Sequence, residues 1–65
     1  MSQYKVPIYF DNEYYDSIEY KEAISADDRT QIIEDAIEMM EGEMYKEIDI
    51  GADKSGNIAV FAKSE

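Results

Sequence analysis

The sequence predicts an α+β fold of order ββαββ, an antiparallel sheet with one helix packed on one of its faces. Three observations predict it. Apolar and polar residues alternate near both ends of the chain, and a period of two marks strands with one buried face. Between them lies a stretch with apolar residues at helical spacing, opened by Ser/Asp and closed by Gly. With only 65 residues and no cysteine, one helix laid over one sheet face is the economical way to build a single core. One domain is expected over residues 1–65.

Each element has a local reason. Tyr4, Val6, Ile8 and Phe10 alternate with Lys5, Pro7 and Tyr9, which predicts a strand. Pro7 cannot donate to a ladder, so the strand should be an edge, or carry its proline on a free side. Asp11-Asn12-Glu13 reads as a turn. In Tyr14 to Glu22, Ile18 and Tyr20 alternate with Ser17, Glu19 and Lys21, a second strand. Ser25 then opens a helix, with Asp28 at the capping-box position and Asp27 beside it at the positive end of the helix dipole. Ile33, Ala36, Ile37 and Met40, with Ile32 beside them, form an apolar stripe, and Gly42 is the stop. The helix should run from about Ala26 to Glu41. Met44, Lys46, Ile48 and Ile50 alternate with Tyr45, Glu47 and Asp49. Ile58, Val60 and Ala62 alternate with Ala59 and Phe61. Asp53-Lys54-Ser55-Gly56 joins these runs as a type I turn closing a hairpin.

Composition excludes several functions. There is no histidine, cysteine or tryptophan, which removes the common structural zinc sites and thiol or imidazole catalysis. No apolar run near the start suffices for a signal peptide or a membrane span, so a cytoplasmic protein is expected. Sixteen acids against six bases leave a net charge of −10. Such a surface repels nucleic acid and anionic lipid and attracts basic partners. Ile, Val and Phe together number 13 and Leu is absent. That apolar content borders on disorder, and six Tyr and four Met shift it towards a folded domain of low stability.

Two chemical readings fail on their residues. If Gly56 is aligned with the required glycine of a calcium-binding EF-hand loop, the first ligand position is Gly51 and the last is Ala62, where a bidentate Glu is needed. DIGADKSGN is therefore read as a hairpin turn, and no metal or cofactor is expected. Carboxylates are abundant, but so short a chain leaves little room for a pocket that would separate their pKa values. The expectation is a protein that is not an enzyme.

The charge is unevenly placed. Residues 50–65 carry two acids and two bases, so the whole imbalance lies before Ile50. Asp11, Glu13, Asp16 and Glu19 lie between Lys5 and Lys21 with no base among them, and Glu34, Asp35, Glu38, Glu41 and Glu43 lie likewise between Arg29 and Lys46. On a helix, Asp27, Gln31, Glu34, Glu38 and Glu41 share one face, flanked by Asp35. Glu34 and Glu38 repel at i,i+4, and Glu38 and Glu41 crowd the negative end of the dipole. A solubility face normally mixes signs. Uncompensated repulsion points to a binding role, and a plain solvated face is the alternative.

The aromatics suggest a second surface. With Val6, Ile8, Phe10, Ile18, Tyr20, Ile48, Ile50, Ile58 and Val60 facing the helix, Tyr9, Tyr15, Tyr45 and Phe61 should face outward. Aromatics among acids on an open sheet suit a protein-binding face, a homodimer contact, or shielding of a thin sheet.

A row of carboxylates on a small scaffold can imitate DNA, which presents one phosphate per ~3.4 Å on each strand. Asp27, Asp28, Glu34, Asp35, Glu38, Glu41 and Glu43 would carry the imitation, with Asp11, Glu13 and Asp16 adding to it and Tyr9 and Tyr45 supplying stacking contacts. In size, acidity and lack of cysteine and histidine, the whole chain resembles the small phage-encoded anti-CRISPR proteins that act as DNA mimics. It is similar to inhibitors of type I surveillance complexes, type I-C among them. The resemblance implies a non-enzymatic inhibitor that blocks the subunit reading the protospacer-adjacent motif, or the channel for target DNA. The partner would be a basic DNA-binding protein or a subunit of a CRISPR surveillance complex, with no direct nucleic-acid or membrane contact. Restriction enzymes, uracil-DNA glycosylase and RNA polymerase fit the same acids. The rival reading is a protein-interaction module or homodimer using the outer sheet face, so the chain is expected to be a monomer or a weak homodimer.

Overall fold

The computed structural model describes residues 4–64. Strands β1 (Lys5–Phe10) and β2 (Glu13–Glu19) are followed by a short 3₁₀ turn (Ala26–Asp28) and helix α1 (Arg29–Met39), then by β3 (Glu47–Ala52) and β4 (Ile58–Lys63). The architecture is α+β in the expected order ββαββ.

The sheet runs β2-β1-β4-β3. Both hairpins are antiparallel, but the central pair, β1 with β4, is parallel. The sheet is thus mixed where a wholly antiparallel one was expected. The reason lies in the connection. The segment from Tyr20 to Lys46 carries the helix back along the sheet, so β2 and β3 run the same way at opposite edges. Two hairpins arranged so must meet through parallel inner strands.

Pro7 consequently sits in an inner strand and not at an edge. It stands opposite Ser17 in β2, and the ladder with β4 begins only at Ile8 opposite Val60. No donor from position 7 is needed on the β4 side, which is how an inner strand accommodates a proline.

Local chemistry closes each turn. Asp11 and Asn12 have φ of 53° and 68°, the backbone of a type I′ hairpin turn, and Asp and Asn are among the few residues that tolerate it. The Asp53 carboxylate accepts the Ser55 and Asn57 N–H groups at 2.9 Å each. Gly56 completes that turn at φ +83°. At the helix start, Ser25 and Asp28 form the expected capping box, the Asp28 carboxylate accepting the Ser25 N–H at 3.1 Å. The α-helix ends at Met39, two residues earlier than expected. Met40 caps it by donating to the Ala36 carbonyl at 3.0 Å, and Gly42 turns the chain at φ +87°.

The core lies between the helix and one sheet face. Val6, Ile8, Ile32, Ala36 and Val60 are fully buried, with Ile18, Met40 and Ala62 nearly so. Phe10, Tyr20, Ile48, Ile50 and Ile58 pack against them, as the alternation predicts. On the helix the deepest line is Ile32, Ala36 and Met40, at i, i+4 and i+8, while Ile33 is half-buried and Ile37 exposed. The stripe is therefore rotated one residue from the Ile33–Ile37 centre. Ala36 in the middle of the buried line lets the helix sit close to the sheet.

Candidate polyanionic interface

The acidic residues fall into two groups. Glu34 and Glu38 are exposed on α1, Asp27 lies in the preceding 3₁₀ turn, and Glu41 and Glu43 lie beyond the helix end; all are exposed. Among the described residues the ion pairs are Lys5–Glu19, at 3.6 Å, and Arg29–Asp49, at 2.5 Å. Neither involves these acids. The nearest helical cation, Arg29, is turned to Asp49 on β3. The repulsion read from the sequence is therefore not relieved by an ion pair among the described residues.

The second group holds the fold together. Asp28 caps the helix start. Asp35 is half-buried and accepts the Tyr20 hydroxyl at 2.9 Å and the Gln31 side-chain amide at 3.0 Å. Asp11 accepts the Ser64 N–H at 2.9 Å and its hydroxyl at 2.6 Å. These two bonds hold the Asp11 carboxyl below its ordinary range, the hydroxyl bond contributing most. Burial, together with the bond to Asp35, raises the Tyr20 hydroxyl well above the usual tyrosine range.

Register places Glu13 opposite Phe10 and Asp16 opposite Ile8. Directly paired residues share a sheet face, so both acids lie on the helix-bearing side of the β2 edge. Asp16 accepts the neighbouring Ser17 N–H at 2.8 Å. Between the end of β2 and the helix runs an open groove of about 860 Å³. Glu19, Glu22, Asp28, Asp35 and Glu38 line it with one cation, Lys21, over a partly apolar floor that includes Ile18, Ile24 and Met39. The sequence reading did not place Glu19 or Glu22 in the site. Their position at and just beyond the end of a strand that leads into an acidic helix was the available signal.

The aromatic surface differs from the expected one. A β-bulge between Ile8 and Tyr9 sets Ile8 opposite Asp16 but Tyr9 opposite Tyr14. Tyr15 is the extra residue, and it packs near the core-facing Phe10, ring centroids 6.1 Å apart. Tyr14 takes its place outside, edge-on to Tyr9 at 6.1 Å, while Tyr9 stacks on Phe61 at 5.4 Å. Tyr45 is also not outward. It precedes β3 and packs, half-buried, against the core. The outer cluster is thus Tyr9, Tyr14 and Phe61.

No helix among the described residues is long and apolar enough to cross a membrane. No family model, curated protein or solved structure matches the chain.

Proposed function

We propose that this chain is a non-enzymatic inhibitor that imitates DNA and occupies the basic nucleic-acid site of a bacterial defence complex, acting in the host cytoplasm. The observation that carries the reading is the set of exposed acids Asp27, Glu34, Glu38, Glu41 and Glu43, none of them in an ion pair among the described residues, while Arg29 pairs with Asp49. A face of one sign loses stability to self-repulsion and gains attraction for a groove of Lys and Arg. Glu13 and Asp16 on the same side of the molecule, and the acidic groove beside α1, widen it. The mechanism is competitive: the protein fills the site that reads the protospacer-adjacent motif or admits target DNA.

The test is affinity capture from a bacterial lysate followed by elution with excess duplex DNA. A DNA-binding protein released by DNA, and bound less tightly as salt rises, supports mimicry. Replacing Glu34, Glu38 and Glu41 together with Lys should abolish capture while the circular dichroism spectrum stays native. Unchanged capture by that folded variant would overturn the helix-face version.

A further inference from the structure

We infer that the outer sheet face pairs with the same face of a second copy of this chain across a two-fold axis. The inference does not use the acids of the helix; it uses the opposite side of the sheet, with Glu19 at a corner that also borders the groove beside α1.

Charge selects the face. On a chain of −10, close approach of two copies needs a surface where charge cancels. The helix side fails this requirement. The outer face meets it: Lys5 stands opposite Glu19, and Lys63 opposite Glu47, each lysine beside an acid on the neighbouring strand. Asp49, on the same face, is taken by Arg29.

Register selects the axis. The Lys5/Glu19 pair lies at one corner of the face and the Lys63/Glu47 pair at the diagonally opposite corner, given the strand order and the pairing of Ile8 with Val60. A two-fold axis along that diagonal, passing between the members of each pair, exchanges them. Each Lys5 then lies over the copy's Glu19, and each Lys63 over the copy's Glu47. The same rotation carries Tyr14 on the β2 edge to Gly51 on the β3 edge. Tyr14 is 60% exposed and lies along the face, its hydroxyl donating to Ser17 Oγ at 3.1 Å. The Phe61 ring covers Gly51, where a Cβ would lie 3.1 Å from it, so Tyr14 meets the copy's Phe61 ring. The stacked Tyr9 and Phe61 rings lie near the axis and meet their copies. Aromatics at the centre and exchanged charges at the corners make a self-complementary isologous contact.

In the dimer the two helices lie on opposite outer sides, so the assembly presents two acidic faces pointing away from each other.

The experiment is light scattering coupled to size exclusion over a range of concentrations. The wild type should show a dimer mass that dissociates on dilution. Glu19→Lys with Glu47→Lys should shift it to the monomer, although that change reduces overall negative charge and would favour association if simple repulsion governed it. Adding Lys5→Glu and Lys63→Glu should restore the dimer. Tyr14→Ser should weaken it at least tenfold in dissociation constant, with native circular dichroism. A strict monomer at every concentration overturns the inference, and so does a dimer that the folded Glu19→Lys/Glu47→Lys variant leaves intact.

Discussion

The Tyr20 hydroxyl donates to the Asp35 carboxylate at 2.9 Å, tying the segment after β2 to the middle of α1 across 15 residues of sequence. It is a charge-assisted bond in a partly buried place, and both residues line the acidic groove. The bond therefore adds to the core packing in holding the groove's two walls together.

Removing that phenol should loosen the groove. Tyr20→Phe keeps the ring and leaves Asp35 with Gln31 alone, so a loss of about 1 kcal/mol is expected, typical of a side-chain hydrogen bond. The pH dependence has a definite sign. The hydroxyl's pKa is raised in the fold above its ordinary 10.0, so the contribution is complete below that pH and is lost as pH rises beyond it. Thermal melts at increasing alkalinity should show wild-type stability falling above pH 10.0, with a shallower fall in Tyr20→Phe. Parallel curves would show that the bond does not carry the titration.

The clasp between Asp11 and Ser64 should act at the other end of the scale. The Asp11 carboxyl is lowered from 3.8 by its two bonds to Ser64. A depressed carboxyl stabilises the fold above its unfolded pKa, and that contribution is lost as pH falls through the folded value. Asp11→Asn should therefore melt below the wild type at neutral pH, with the gap closing on acidification below 3.8. A constant gap would assign the effect to the turn backbone.

The acidic face should be a site where stability and binding part. Glu38→Gln relieves the i,i+4 repulsion with Glu34 and the charge near the helix C-terminus, and should stabilise by about 0.5 kcal/mol. Denaturant midpoints measure this. The same change should weaken capture of the proposed basic partner. A variant both less stable and equally active would contradict the picture of a face kept acidic against local helix rules.

The core has little reserve. Ile32 is fully buried at the centre of the helix–sheet contact, and Ile32→Ala should cost about 3 kcal/mol from lost burial and a cavity. A chain of 65 residues has a total stability of roughly 3–10 kcal/mol at the usual value per residue. The variant should unfold in much less urea than the wild type, or be unfolded without it. A change under ~1 kcal/mol would mean that the helix settles onto the sheet to fill the gap.

What the sequence by itself determined is local. Period-two alternation in Val6–Phe10 and Ile58–Lys63, the Ser25–Asp28 start, Gly42 and the Asp53–Gly56 turn each follow from the bonding and conformational limits of neighbouring residues. They were legible without coordinates, as was the one-signed run from Glu34 to Glu43. Tertiary structure decided what depends on partners distant in sequence. The parallel β1–β4 pair arises because the helical return sets β2 and β3 at opposite edges, and no residue of β1 encodes that neighbour. The bulge that sends Tyr14 outward and Tyr15 towards Phe10 needs two strands in register, since a one-residue slip changes faces. The acids look alike in sequence, yet Asp11, Asp28 and Asp35 bind the fold while Glu34, Glu38 and Glu41 stay exposed. A carboxylate's role is set by which donor the folded chain brings within hydrogen-bonding distance, and that is a property of the three-dimensional arrangement.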